Sequence, residues 1–92
     1  MGGYPRVLSV ETRAPYLLVV TFDNGVTKRY DCAPLLNLPA FAPLRAPAFF
    51  QGVRVDPGGY GVSWSDDIDL AEAELWSRGN LAAVDEQTEP MR

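Results

Sequence analysis

The chain has 92 residues, too few to divide into two separately cored units, and its 47 % apolar content is that of an ordinary globular fold. Its net charge of −4 opposes the attraction to backbone phosphates on which most nucleic-acid binding depends. There is no histidine and only one cysteine, Cys32, which excludes histidine-based triads, thiolate-cluster metal sites and intramolecular disulfides.

In chain order, the first element is a strand from Arg6 to Glu11, where Val7, Leu8 and Val10 lie between Pro5 and Pro15. The next stretch, "YLLVVTFDNGVTKRYD", sets two apolar, β-favouring runs around Asp23-Asn24-Gly25 and predicts a hairpin. Directly opposed residues of an antiparallel pair share a face, so the loop length can be decided by register. A two-residue loop opposes Val20 to Arg29 and Leu18 to Asp31. A three-residue loop from Asp23 to Gly25 opposes Phe22 to Val26, Val20 to Lys28 and Leu18 to Tyr30, and is preferred. It requires Gly25 in the left-handed conformation, where the missing Cβ avoids a steric cost. Prolines 34, 39, 43 and 47 then forbid a long helix. Short helical turns are expected instead: one capped by Asp31 or Cys32 with Pro34 in its first turn, one around Phe41 to Leu44, and one at Pro47 to Phe50.

The stretch "VRVDPGGYGVSWSDDIDL" reads as a second hairpin. A four-residue loop, Asp56-Pro57-Gly58-Gly59, pairs Val55 with Tyr60 and Val53 with Val62, leaving Trp64 on the same apolar face. Pro57 suits the second turn position, and Gly58 and Gly59 can take positive φ. These glycines lead into a strand and are followed by no lysine, unlike a phosphate-binding loop. The helix "LAEAELWSRG" is predicted to start at Leu70, with Asp69 as its cap, Glu72 completing a capping box and Gly79 as the stop. Trp76 either closes the core edge or sits in an apolar patch used for association. The predicted fold is α+β: a mainly antiparallel sheet of about five strands, in two hairpin-like units plus an N-terminal strand, backed by short helical turns and a C-terminal helix. Residues 1–79 are expected to form one domain and 80–92 a flexible tail.

Several spaced features together resemble a family of small bacterial domains known as domain of unknown function 2442. They are "VTFDNG" with Tyr30-Asp31, Leu35-Leu36, "FAPL" from Phe41 to Leu44, "FF" followed by "VRVD", and Trp64 with Asp69-Leu70. The resemblance spans Pro5 to Leu75. It departs from the family pattern at "WSDDIDL", where Asp66 and Asp67 stand in place of an Asn-Gly pair. It implies an α+β domain with short helices backing the sheet, and it brings no catalytic residue. Members are commonly encoded beside small toxins, which implies an antitoxin-like or accessory role. Some relatives carry a helix-turn-helix region after this domain, and the residues after Gly79 are too few for one.

Three functions compete. The first is a non-enzymatic protein-interaction module with an acidic surface, engaging a basic, toxin-like protein or a second copy of itself. Its candidate contact residues are Trp76, Leu17 and Val19, because Leu17, Val19 and Thr21 occupy the hairpin face opposite Phe22. The second is a divalent-cation or small-ligand site at Asp66, Asp67 and Asp69, with Asp31 as a further candidate. Helix capping is the more economical reading of that cluster, so no metal and no cofactor are expected. The third, nucleic-acid binding through Arg6, Lys28, Arg29 and Arg54, is disfavoured by net charge. No apolar run approaches the roughly 18 residues of a membrane span, and no secretory signal is visible, so a cytoplasmic location is expected.

Overall fold

Among residues 3–81, which the computed structural model describes, seven strands form two antiparallel sheets. The larger sheet contains β1 (Val7–Arg13), β2 (Leu17–Phe22), β3 (Thr27–Asp31) and β7 (Asn80–Leu81), in the spatial order β1-β2-β3-β7. The smaller contains β4 (Arg54–Val55), β5 (Gly61–Ser65) and β6 (Ile68–Ala71) in sequential order. Short helices α1 (Pro47–Phe50) and α2 (Glu72–Arg78) complete the fold, with 3-10 helices at Ala33–Asn37 and Pro39–Arg45 and a 3-10 turn at Pro57–Gly59.

The first hairpin takes the register that apolar alternation predicts. Leu18 pairs with Tyr30 and Val20 with Lys28, and Gly25 adopts φ 88° at the end of a three-residue loop. The loop closes through the Gly25 N–H on the Phe22 carbonyl (3.0 Å) and the Phe22 N–H on the Val26 carbonyl (2.8 Å). β1 continues the ladder, with a bulge between Val7 and Ser9 that leaves Leu8 exposed. Proline spacing shapes the next segment as expected. Cys32 occupies the N-cap position of the first 3-10 turn, Asp31 Oδ1 accepts the Ala33 N–H (2.9 Å), and each later turn starts at a proline.

The second hairpin differs from its predicted register by two residues. Val55 pairs with Val62 and Arg54 with Ser63, so the connection runs from Asp56 to Gly61 and closes through the Asp56 N–H on the Gly61 carbonyl (2.9 Å). Gly58 and Gly59 both take positive φ, which lets a 3-10 turn at Pro57–Gly59 fit inside the loop. Tyr60 is thereby turned outward, where the Arg6 guanidinium lies 4.1 Å from its ring centroid.

The capping box is not formed. Residues Ile68–Ala71, where the helix was predicted to start, are instead β6, pairing Leu70 with Val62 and Asp69 with Ser63. Ala71 occupies the N-cap of α2 without a side-chain hydrogen bond, so Asp69 caps nothing, and Glu72 is the first helical residue. The physical reason is alternation: Ile68 and Leu70 are buried while Asp69 and Ala71 are exposed, the period of a half-buried strand. Beyond Gly79, Asn80–Leu81 add an edge strand to β3, so two residues assigned to the tail belong to the sheet. Residues 82–92 lie outside the described residues.

The core is built mainly from the two sheets. Val7, Leu18, Val20, Phe22 and Tyr30 from the larger sheet meet Val62, Trp64, Ile68 and Leu70 from the smaller, with Leu44, Phe50 and Leu75 closing the ends. Trp64 stacks on Phe50, with centroids 6.0 Å apart, and its indole N–H donates to the Phe50 carbonyl (2.8 Å), satisfying the polar atom of a buried ring.

Candidate functional site

The face of the larger sheet turned away from this core is ordered in three rows across β1, β2 and β3. Registers place Ser9, Thr21 and Thr27 in one row, Glu11, Val19 and Arg29 in the next, and Arg13, Leu17 and Asp31 in the last. The hydroxyls of Thr21 and Thr27 stand 3.2 Å apart, and Arg13 pairs with Glu11 at 2.9 Å along β1. Leu17 and Val19 are half-buried, in contrast to Leu18 and Val20, which are sealed in the core. Leu17 also lines an open hollow of about 480 Å³ at the end of this face, with Ala14, Pro15, Arg29, Asp31 and Leu81 among its walls. The arrangement is an apolar centre flanked by charges of both signs on a rigid support.

Trp76, the third interaction candidate, is only half-exposed and already engaged. Its ring meets Phe22 edge-on at a centroid distance of 5.1 Å, and the Lys28 ammonium sits 3.8 Å from its centroid while donating to the Trp76 carbonyl. It closes the core edge. Gly25, Pro57, Gly58 and Gly59 occupy the turns described above.

The acidic residues do not converge. Asp66 and Asp67 are exposed in the β5–β6 turn, Asp69 is exposed on β6, and Asp31 ends β3 in the other sheet. Among the described residues, no group of three His, Cys, Asp or Glu side chains is placed to hold a metal ion. The cations are likewise dispersed. Lys28 and Arg29 alternate across β3, Arg6 covers Tyr60, and Arg54 lies exposed on β4.

Two titratable groups are held neutral. Burial pushes the Cys32 thiol from its ordinary 9.0 up to about 12, with the neighbouring Asp31 carboxylate adding to the effect. Burial also raises the Tyr30 phenol, as does its hydrogen bond to Glu74 Oε2 (2.6 Å). Neither is activated as a nucleophile or a base.

Sequence reasoning found Leu17 and Val19 and named Asp31 only as a cation candidate, but missed Glu11 and Arg13 beside them. The hairpin register already implied that Asp31 lies beside Leu17. Glu11 and Arg13 could be placed only with the β1 register, which the bulge shifts.

Fold and face together define a small α+β domain of two antiparallel sheets, and among the described residues no three His, Cys, Asp or Glu side chains are placed to hold a metal ion. The chain belongs to the family described as "Protein of unknown function (DUF2442)", matched over residues 7–80. That family indicates no enzymatic class. No curated protein matches. A solved structure from Nitrosomonas europaea, described as a "Putative DNA Binding Protein", is similar with TM-score 0.62 and 31 % identity over 73 % of this chain. The present chain spans 45 % of that protein's length. No helix among the described residues is long and apolar enough to cross a membrane.

Proposed function

We propose that this chain is a non-enzymatic protein-interaction module that docks its partner on the open face of the larger sheet. The observation that carries the reading is the half-buried pair Leu17 and Val19 on β2, between β1 and β3 of the four-stranded sheet. Apolar side chains held open in the middle of a rigid surface gain most from being covered, while charged neighbours set orientation. The net charge of −4 favours a basic partner, and the family resemblance makes an antitoxin-like or accessory role the working assignment.

The test is a tagged pull-down from the native host, comparing wild type with Leu17→Asp after melting curves show both are folded. A stoichiometric protein captured by wild type and lost from the variant supports the reading. Equal capture by both removes this face.

A second reading, DNA binding, draws on the name carried by the Nitrosomonas protein. Against it stand the acidic balance and the scatter of Arg6, Lys28, Arg29 and Arg54 over separate surfaces. Fluorescence anisotropy against duplex DNA decides: binding lost as salt approaches ~0.15 M is expected, and retained binding would support this second reading.

A further inference from the structure

We infer that the open face of the larger sheet is self-complementary and that its occupant is a second copy of this chain. The inference rests on the docking reading above only for the face it uses; the charges on that face are balanced, Glu11 and Asp31 against Arg13 and Arg29, so the net charge of −4 does not decide this pairing. Its basis is the order of charge across the rows: acid, valine, base in Glu11-Val19-Arg29, then base, leucine, acid in Arg13-Leu17-Asp31. The sequence of signs reverses from one row to the next. Two such faces can be stacked about a two-fold axis lying in the interface and running along β2. The axis places β1 of one copy over β3 of the other, row on row.

Glu11 then opposes Arg29 of the second copy, Arg13 opposes its Asp31, and Leu17 and Val19 each meet their own equivalents at the centre. The third row sets Ser9 over Thr27 and Thr21 over Thr21. Every charge meets its opposite and every apolar side chain an apolar one.

A two-fold axis running across the strands is less favourable. It must pass between the two charged rows to avoid stacking Glu11 on Glu11, and it then leaves the Ser9-Thr21-Thr27 row uncovered. Aligned stacking with a modest rotation is also how sheets pack face to face. With strands ~4.8 Å apart, three rows make a face well short of the ~800 Å² per partner of a standard interface, so the dimer is weak and concentration-dependent.

The experiment uses the full chain and two paired exchanges, Glu11→Arg with Arg13→Glu, and Arg29→Glu with Asp31→Arg. The first pair lies at exposed positions and keeps its neighbouring opposite charges, so it should fold normally. Sedimentation velocity between ~10 µM and ~1 mM is expected to show a monomer–dimer equilibrium for wild type, weakened at least about tenfold in the first variant alone. The second variant alone should behave likewise, and an equimolar mixture of the two should restore a mixed dimer, since each exchanged column then meets its complement.

A wild type monomeric throughout the range overturns the inference. So does a wild-type dimer that the first exchange leaves unchanged, or a mixture of two folded variants that fails to pair. None of these results touches the docking reading, which falls only if Leu17→Asp leaves capture of a heterologous partner intact.

Discussion

Gly25 and Gly59 hold similar backbone angles, φ 88° and 76°, but a methyl group at each would meet different surroundings. Nothing lies within 4 Å of a Cβ at Gly25, so Gly25→Ala carries only the left-handed penalty, about 1–2 kcal/mol. A Cβ at Gly59 would stand 2.6 Å from the Val7 carbonyl oxygen and 2.9 Å from Arg6 Cβ. Gly59→Ala therefore adds overpacking and should cost roughly 2–5 kcal/mol. At about 4–8 °C per kcal/mol for a domain of this size, thermal unfolding separates the two variants clearly, and equal shifts would contradict the packing at Gly59. Cys32 makes a second residue-level prediction. Its thiol keeps its proton in the folded chain up to about pH 12 and loses it near 9.0 when unfolded. Above pH 9 the unfolded state binds fewer protons than the native one, so stability falls with rising pH across that window, by up to about 1.4 kcal/mol per pH unit. Cys32→Ala should lessen the fall between pH 9 and 10 in urea titrations, while the fall above pH 10, to which the raised Tyr30 phenol also contributes, persists. The wild-type thiol should also resist alkylation at pH 8 until the chain is unfolded.

Between elements, the meeting point of β6 and α2 is where local signals misled. Asp69 followed by Glu72 three residues later satisfies the pattern of a capping box, yet the alternation of Ile68, Asp69, Leu70 and Ala71 carries them as a strand. Pairing with β5 decides between the two, because it buries Ile68 and Leu70 beside Val62 and Trp64. Asp69→Ala should accordingly change stability by less than ~0.5 kcal/mol, whereas loss of a true cap costs about 1. α2 itself is held by Leu75, which is fully buried, and by Trp76 on Phe22. Leu75→Ala should cost about 2–5 kcal/mol by denaturant unfolding, and a smaller loss would mean that the helix is not anchored through the core. The first hairpin was legible down to its register because Asp23-Asn24-Gly25 and the apolar alternation pointed the same way. The second was displaced because Gly58, Gly59 and Gly61 allow more than one loop, and only packing against β1 and β6 selects among them.

Across the whole molecule, the side of the larger sheet on which a residue lies decides what its loss would do. Leu17 and Leu18 are neighbours of one chemistry, yet Leu18→Ala should cost about 2–5 kcal/mol and Leu17→Ala under ~1, measured as unfolding free energies. Similar costs would mean that the outer face is sealed. The same sidedness joins Glu11, Arg13, Arg29 and Asp31, drawn from two strands, into one patterned surface. By itself the sequence determined the α+β class, the first hairpin and its register, the proline-broken turns, and the absence of histidine chemistry and of an intramolecular disulfide. These follow from local rules: backbone angles that glycine and proline alone permit or forbid, and period-2 burial. Only the tertiary structure decided that the strands divide into two sheets, that Asp69 lies on a strand, that Trp76 is absorbed at the core edge, and which charges share a face with Leu17 and Val19. Asp69 depends on pairing with the adjacent β5, and the others on contacts between segments distant in the chain; in each, burying apolar area against a particular partner outweighs local propensity of a kcal/mol or less.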